Sequence, residues 1–146
     1  MINETDKVYL SICNSLTRLT DDNNTGVSAI IVKNNNIISH GVNELPNGAN
    51  KINDRCESPL KDKWMLHAER NAIFKAARLG ISLKDTKMYC TYFPCADCSR
   101  AIIQAGITRL YTEKPDFNHH KWGESWVEAL IMLRECGVEV IWTNVE

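Results

Sequence analysis

The amino-acid sequence predicts an α/β protein, a three-layer α/β/α sandwich built on a mixed five-stranded sheet. In the second half of the chain, a helical stretch ends three times at a glycine and an apolar strand follows, at Gly80, Gly106 and Gly137. Glycine suits the left-handed residue with which many helices end. In the first half, the β-branched runs "VSAIIVK" and "IISHG" flank "NNN" and predict a hairpin. Helices that alternate with strands imply parallel crossovers and a sheet covered on both faces.

The remaining elements follow from hydrophobic spacing and from capping residues. The first helix is predicted from four apolar residues at helical spacing, Val8, Ile12, Leu16 and Leu19. A polar loop of about 20 residues, 43–63, follows the hairpin, and so long a loop in a compact domain is often functional. Ser125 and Glu128 form an S-x-x-E pattern, which predicts the N-terminal cap of the last helix.

Length and charge restrict the possible functions. We expect one domain, residues 1–146, because a chain of this size buries about 68–70% of its unfolded surface. With 17 basic and 18 acidic side chains the formal net charge is −1, so no overall field attracts DNA, RNA or anionic lipid. No apolar run approaches the roughly 20 residues that span a bilayer, and the first residues lack the features of a secretion signal. We therefore expect a cytoplasmic protein that binds a small molecule, with neither a nucleic acid nor a membrane as partner.

The cysteines suggest metal chemistry. In a reducing cytosol the six cysteines are expected to be thiols or metal ligands rather than a disulfide framework. Cys95 and Cys98 in "FPCADCS" follow Pro94, where the strand "MYCTYF" gives way to the helix "SRAIIQAG". Spacing i, i+3 places both sulfurs on one side of the first helical turn, where free N–H groups and the helix dipole favour thiolates. C-x-x-C alone remains compatible with a redox pair as well as with zinc.

A second stretch, "WMLHAERNAIF", places His67 and Glu69 where a helix begins. One imidazole and two thiolates suit tetrahedral zinc, and three protein ligands leave the fourth position for water, as in catalytic sites. Glu69 is close enough to exchange protons with that water without binding the metal itself. A closed site with Cys90 or Cys56 as the fourth ligand, and without catalysis, is the alternative.

The pattern H-x-E…P-C-x-x-C is typical of zinc nucleobase deaminases. From about residue 6 to residue 142 the chain resembles the cytidine deaminase superfamily, in particular its deoxycytidylate (dCMP) deaminase branch. The stretches that carry the resemblance are "VSAIIVKNNNIISHGVNELPNG", "KINDRCESPLKDKWMLHAERNAIFKAARLG", "YCTYFPCADCSRAIIQAGITRLY" and the closing "KWGESWVEALIMLRECGVEV". The resemblance implies the α/β/α fold, one Zn²⁺ ion per chain between two helix N-termini, and a homo-oligomer.

The resemblance also implies roles for single residues. It gives His67, Cys95 and Cys98 as zinc ligands, Glu69 as the proton shuttle, and the backbones of Ala68 and Phe93 as contacts of the pyrimidine's amide edge and exocyclic amine. Asn43 in "GVNELPNG" matches an asparagine that reaches the sugar hydroxyl; alternatively, it is a turn residue that satisfies its own loop. The implied reaction is hydrolytic deamination of a cytosine nucleotide, dCMP to dUMP and ammonia, in pyrimidine nucleotide metabolism.

Several substitutions on the substrate side bear on the phosphate. Asp21 and Asp22 precede the first strand, and Glu44 in "GVNE" is expected near the sugar pocket. Gly26 stands where the branch commonly has a lysine. A 5′-phosphate is disfavoured beside these carboxylates unless cations compensate them. The loop "KPDFNHHKW" supplies such cations on the side of the sheet where the active site is expected: Lys114, His119, His120 and Lys121.

Other functions remain open at this point. The acidic substitutions favour a deaminase of a free cytosine nucleoside or base as the alternative. An alternative of another class is a structural zinc or redox module without catalysis. A polynucleotide deaminase is disfavoured because the chain lacks a basic stripe. Trp122 and Trp126, at i, i+4, are expected in the core or at a subunit contact rather than as a stacking platform for a base.

Overall fold

A computed structural model describes residues 1–145. The helices are α1 (Glu4–Leu16), α2 (Lys61–Trp64), α3 (Ala68–Arg78), α4 (Ala96–Ala105) and α5 (Gly123–Glu135). The strands are β1 (Ser28–Lys33), β2 (Asn36–Val42), β3 (Thr86–Cys90), β4 (Ile107–Thr112) and β5 (Glu139–Trp142). The long loop after β2 contains a short 3₁₀ turn, Asn53–Cys56, as well as α2. Every helix within residues 1–145 is too short or too polar to span a bilayer.

The strands form one mixed sheet in the order β2-β1-β3-β4-β5. β1 pairs antiparallel with both β2 and β3, whereas β3, β4 and β5 run parallel. The hairpin and the parallel crossovers predicted from the sequence are both confirmed. The carboxyl ends of β3 and β4 therefore share one edge of the sheet with the amino end of β1, and ligands of such sheets bind at this edge.

Strand periodicity divides the core into two layers. On β1, Ala29 and Ile31 pack into a core formed with α3, α4 and α5, while Ile30 and Val32 pack against α1 on the other face. Successive side chains of a strand point to opposite faces of the sheet, so one buried strand serves both layers. The predicted α/β/α sandwich is confirmed.

The buried face of α1 differs from the one predicted. Val8 and Leu19 are 57% and 62% exposed, and the helix instead buries Asp6, Tyr9 and Cys13. The hydroxyl of Tyr89 on β3 donates a hydrogen bond of 2.7 Å to Oδ1 of Asp6. A carboxylate buried with a partner of this kind fixes the rotation of the helix, because turning the apolar residues inward would break the bond.

One glycine sets the contact between β2 and α3. A Cβ atom at Gly41 would lie 2.5 Å from the amide nitrogen of Ala72 and against the carbonyl oxygen of Ala68. No side chain fits there, so α3 lies directly on the backbone of β2. This close approach places the first turn of α3 at the edge of the sheet where β3 ends.

We expect Tyr89→Phe to lower the free energy of unfolding by about 1–3 kcal/mol, because it leaves Oδ1 of Asp6 buried without its donor. Tyr9→Phe is the matched control: its hydroxyl donates to the carbonyl of the exposed Asn35, which water can reach, so the expected loss is less than about 1 kcal/mol. Urea unfolding of both variants measures the difference. Equal losses would contradict the role given to the Asp6–Tyr89 bond.

Candidate active site

Three metal-competent side chains meet at the edge of the sheet where β3 ends. His67 is the N-cap residue of α3, Cys95 is that of α4, and Cys98 lies in the first turn of α4. Nδ1 of His67 is 3.6 Å from Sγ of Cys95 and 3.5 Å from Sγ of Cys98. The ligand atoms all lie within 4.8 Å of one another. The structure thus brings together the two segments that the sequence singled out.

The spacing of these atoms fits zinc. Tetrahedral zinc, with Zn–S bonds of about 2.3 Å and Zn–N bonds of about 2.0–2.1 Å, holds its ligand atoms about 3.5–3.8 Å apart. Both nitrogen–sulfur distances match this value. Within residues 1–145, no fourth histidine, cysteine or carboxylate joins the cluster, and Cys56 and Cys90 are buried outside it. The structure therefore favours a three-ligand site over the closed site.

Hydrogen bonding within the cluster shifts the pKa values of the two thiols in opposite directions. A hydrogen bond from the Cys98 thiol lowers the pKa of Cys95 to about 4, and His67 and the amide of Cys98 add to this effect. The same contact with Cys95 raises the pKa of Cys98, and a hydrogen bond with Cys95 raises the pKa of His67. A thiolate at a helix N-terminus is the form of cysteine that binds a metal ion.

Glu69 lies beside this cluster, in the first turn of α3. Its side chain faces the same cavity as His67, and the residue is only 4% exposed. Burial raises the pKa of the Glu69 carboxyl, because the charged form loses hydration. The arrangement places a carboxyl group that can gain or lose a proton next to a site that can bind a metal ion.

The first turn of α4 is held by a residue of α5. The amide of Ala96 donates a hydrogen bond of 2.9 Å to Oγ of Ser125. The prediction that Ser125 and Glu128 cap α5 is wrong, because α5 begins at Gly123 after Trp122, and Ser125 lies within its first turn. The hydroxyl of Ser125 satisfies a free amide of the neighbouring helix instead.

The cluster opens into a cavity of about 420 Å³ at the carboxyl end of β3. The residues predicted from the sequence that line it are Asn43, His67, Ala68, Glu69, Phe93, Cys95, His119 and Lys121. Cys98 is fully buried and is not among the residues of the cavity wall. Lys114 and His120, the other predicted phosphate-side residues, stand outside the cavity wall.

Two of the three acidic residues, Glu44 and Asp21, do not add negative charge to the cavity wall. Oε1 of Glu44 accepts a hydrogen bond of 2.8 Å from Asn71 and lies 3.2 Å from the ammonium of Lys75. Asp21 forms an ion pair of 2.7 Å with Lys51. Neither carboxylate is on the cavity wall. Glu44, which we expected near the sugar pocket, is therefore held by Asn71 and Lys75 on α3 and is not part of the cavity wall.

The third acidic residue, Asp22, does line the cavity, and it brings a cation with it. Oδ2 of Asp22 lies 3.0 Å from Nζ of Lys61, and the two side chains are 8% and 16% exposed. Burial disfavours the charged carboxylate, but hydrogen bonds from the amides of Asn24 and Thr25 and from Lys61 outweigh it and lower the pKa of Asp22. Sequence reasoning missed Lys61, which lies in the long loop 39 residues away.

Sequence reasoning also missed an aromatic wall of the cavity. Trp122 and Trp126 line the cavity, although the sequence placed them in the core or at a subunit contact. The ring centroid of Trp122 is 6.2 Å from that of His67, and His119 packs edge-on against Trp126 at 5.4 Å. Their i, i+4 spacing showed a shared helical face, but not that this face looks into the site.

Comparison with known proteins agrees with this geometry. The family model of the cytidine and deoxycytidylate deaminase zinc-binding region matches residues 3–114. A protein of Aliivibrio fischeri, described as an uncharacterized deaminase in the luxG 3′ region, is 35% identical over 143 residues, which are 97% of this chain and 95% of that protein. The deoxycytidylate deaminase of Enterobacteria phage T2 is 40% identical over 95 residues, 60% of this chain. The match spans about half, 47%, of the length of the phage protein.

A solved structure is similar over nearly the whole chain. The dCMP deaminase of the cyanophage S-TIM5, crystallised with dCMP and dUMP, superposes with a TM-score of 0.79 at 29% sequence identity. The superposition covers 98% of this chain and 99% of the cyanophage chain. The likeness thus extends beyond residue 114 to the last helix and strand.

We expect the purified protein to bind one zinc ion per chain. Cys98→Ser removes a thiolate from the cluster, so its zinc affinity should fall by more than the roughly 10- to 100-fold that loss of an outer hydrogen-bond partner costs. Cys56→Ser, at a buried thiol outside the cluster, is the control and should bind zinc normally. Chelator competition with metal analysis measures both. Unchanged affinity in Cys98→Ser would argue against this metal site.

Proposed function

The chain belongs to the cytidine and deoxycytidylate deaminase family, and on that basis we propose that it hydrolyses the exocyclic amine of a cytosine nucleotide. dCMP is the first substrate to test, with dUMP and ammonia as products. Named relatives are deoxycytidylate deaminases, and the cyanophage enzyme of the same fold was crystallised with dCMP and dUMP. In this proposal residues 1–146 act as one deaminase-type domain.

One observation carries the proposal: the Glu69 carboxyl shares a cavity with the cluster of His67, Cys95 and Cys98. Hydrolytic removal of an amine from a pyrimidine needs an activated water and a group that moves protons. A structural zinc or redox module needs neither a cavity nor a buried carboxyl beside it. This combination favours an enzyme.

We assign His67, Cys95 and Cys98 as ligands of one zinc ion per chain. When bound there, Zn²⁺ supplies a Lewis acid that lowers the pKa of water. Two thiolates balance the charge of the ion, which limits its acidity and makes a neighbouring base valuable. Cys98, fully buried, holds its sulfur away from solvent, while His67 and Cys95 form part of the cavity wall.

Glu69 is the proton carrier in this proposal. Its carboxylate takes one proton from the attacking water and gives it to N3 of the ring, then takes the proton of the new C4 hydroxyl and gives it to the leaving amine. The new C4–O bond forms, the C4–N bond breaks, and ammonia leaves, so that one water molecule is consumed per uracil formed. The buried position of Glu69 keeps bulk water from taking these protons.

The backbone of the site is arranged to hold the base. Ala68 is the first residue of α3, where an amide has no partner within the helix and is free to donate to the pyrimidine. Phe93 is 4% exposed and packs against Phe117 and Trp142, so its carbonyl is held in place to accept from the exocyclic amine. The aromatic wall of Trp122 completes an apolar pocket of the kind that suits a planar base.

For the phosphate we propose His119 and Lys121. Nδ1 of His119 accepts the amides of Lys121 and Trp122, each at 3.1 Å. The neutral ring therefore carries its proton on Nε2, which is a donor. Lys121 adds a positive charge on the same wall. Lys114 and His120 stand outside this wall, and the proposal does not use them.

We propose a cytoplasmic location for the protein. The six cysteines are all free, which is consistent with the reducing cytoplasm expected from the sequence. Homo-oligomer formation, which the resemblance implies, stays a prediction.

We expect Glu69→Gln to lower kcat for dCMP deamination by at least about 100- to 10,000-fold, because the variant loses its general acid and base. Its zinc content should equal that of the wild type. Glu128→Gln, on the exposed part of α5, is the control and should keep full activity. Ammonia release, with metal analysis of the same samples, provides both readouts; near-normal turnover by Glu69→Gln would refute the mechanism.

The phosphate assignment makes a separate prediction. Lys121→Met should raise KM for dCMP by about tenfold, the size of a lost charged hydrogen bond, and leave KM for deoxycytidine unchanged. Lys114→Met, outside the cavity wall, should change neither. Steady-state kinetics with dCMP, deoxycytidine and cytosine tests this. A strong preference of the wild type for the unphosphorylated compounds would overturn the choice of a nucleotide.

A further inference from the structure

Two pairs of polar residues line the cavity. The loop before β1 and the loop after β4 reach the same edge, with β3 between their strands. At this edge the amino end of β1 and the carboxyl end of β4 are two strand spacings of about 4.8 Å apart. His119 and Lys121 follow β4, whereas Asp22, with its partner Lys61, precedes β1, and we take these two pairs as the two ends of the cavity. A nucleotide likewise has a phosphate at one end of its sugar and hydroxyl groups at the other.

Asn43 stands at the second end, but its side chain is engaged within the protein. Oδ1 accepts the hydroxyl of Thr20 at 2.6 Å and the amide of Val27 at 2.8 Å. Nδ2 donates to the carbonyl of Thr25 at 2.7 Å. Rotating the amide group would place donor against donor at Val27, so this orientation is fixed. Two donors already face Oδ1, although the single proton of the Thr20 hydroxyl also reaches the main-chain oxygen of Asn43 at 2.9 Å. A sugar hydroxyl would have to displace one of these donors.

Asp22 has an acceptor that is less crowded than Oδ1 of Asn43. Its Oδ1 is occupied by the amides of Asn24 and Thr25, at 2.8 and 3.2 Å. Its Oδ2 faces Lys61 at 3.0 Å, and its next neighbour, Nδ2 of Asn43, is at 3.5 Å, the limit of a hydrogen bond. A carboxylate oxygen accepts two donors. Oδ2 therefore has room for one more on a wall of the cavity.

We propose that Asp22, held in place by Lys61, accepts the hydrogen bond of the substrate's sugar hydroxyl and so orients the nucleotide in the cavity. The inference rests on the proposed function. A carboxylate and an ammonium side by side match a hydroxyl group, which both donates and accepts. Because Lys61 offsets the charge of Asp22, a phosphate meets no net positive charge at this pair, and we place it at the end with His119 and Lys121. Asp22 is thus a specificity residue for a nucleotide with a free sugar hydroxyl.

The test compares dCMP with 2′,3′-dideoxycytidine monophosphate, which lacks the sugar hydroxyl. For the wild type, kcat/KM should fall about 10- to 100-fold, the size of a hydrogen bond to a charged group. Asp22→Asn keeps an oxygen for the turn at Asn24 and Thr25 but places an NH₂ group in the position of Oδ2. In this variant the difference between the two substrates should shrink to less than about threefold. A ratio of substrates cancels any general loss of active protein.

Three further variants sharpen the result. Asp22→Ser keeps a turn through its hydroxyl and serves if Asp22→Asn folds poorly. Asp21→Asn, at the neighbouring carboxylate outside the cavity, is the control and should discriminate like the wild type. Lys61→Met removes the cation but keeps the Asp22 carboxylate, so it tests whether Lys61 itself binds the substrate.

The outcomes separate this inference from the proposed function. Full discrimination in both Asp22 variants, or none in the wild type, would overturn the role of Asp22 while cytosine nucleotide deamination stands. Lys61→Met could instead lose the preference for dCMP over deoxycytidine while it still discriminates dCMP from the dideoxy compound. That result would place the phosphate at Lys61 and would also overturn the role of Asp22. Absence of deamination with every cytosine nucleotide would overturn the function and the inference together.

Discussion

The N-termini of α3 and α4 meet at the carboxyl end of β3, and the rest of the site depends on this contact. Two helix N-termini carry partial positive charges that repel each other unless negative charge lies between them. The thiolate of Cys95, whose pKa is lowered to about 4, supplies that charge. The same thiolate is a metal ligand. Helix packing and metal binding therefore both require a negative charge at this position.

Contacts far from the cavity bring the two helices together. Gly41 lets the backbone of α3 lie on β2, and Ser125 of α5 satisfies the first free amide of α4. An ion pair between Arg70 on α3 and Asp97 on α4 connects the two first turns. None of these residues carries chemistry of its own, yet each determines where His67 and Cys95 stand relative to each other.

The charge pattern of the cavity is set by partners rather than by composition. Glu44 and Asp21 reach lysines outside the cavity, and Asp22 is neutralised by Lys61 from the long loop. That loop is thus part of the site, in keeping with its length. The sequence suggested that this acidic stretch disfavours an anionic substrate. Because its carboxylates are paired with lysines, the positive charge of Lys121 near His119 is not cancelled.

The sequence by itself determined the α/β/α class, the hairpin, and the two segments with His67 and Cys95, because these depend on local spacing and capping. Tertiary structure decided which face of α1 is buried, which helix Ser125 caps, and where the tryptophans point. It also chose the ion-pair partners: Lys61 and Asp22 are 39 residues apart, and no local pattern relates them. Short-range hydrogen bonds and the spacing of metal ligands within a helical turn can be predicted from residue spacing. Burial and charge pairing cannot, because they depend on distances between residues that are set only when the chain folds.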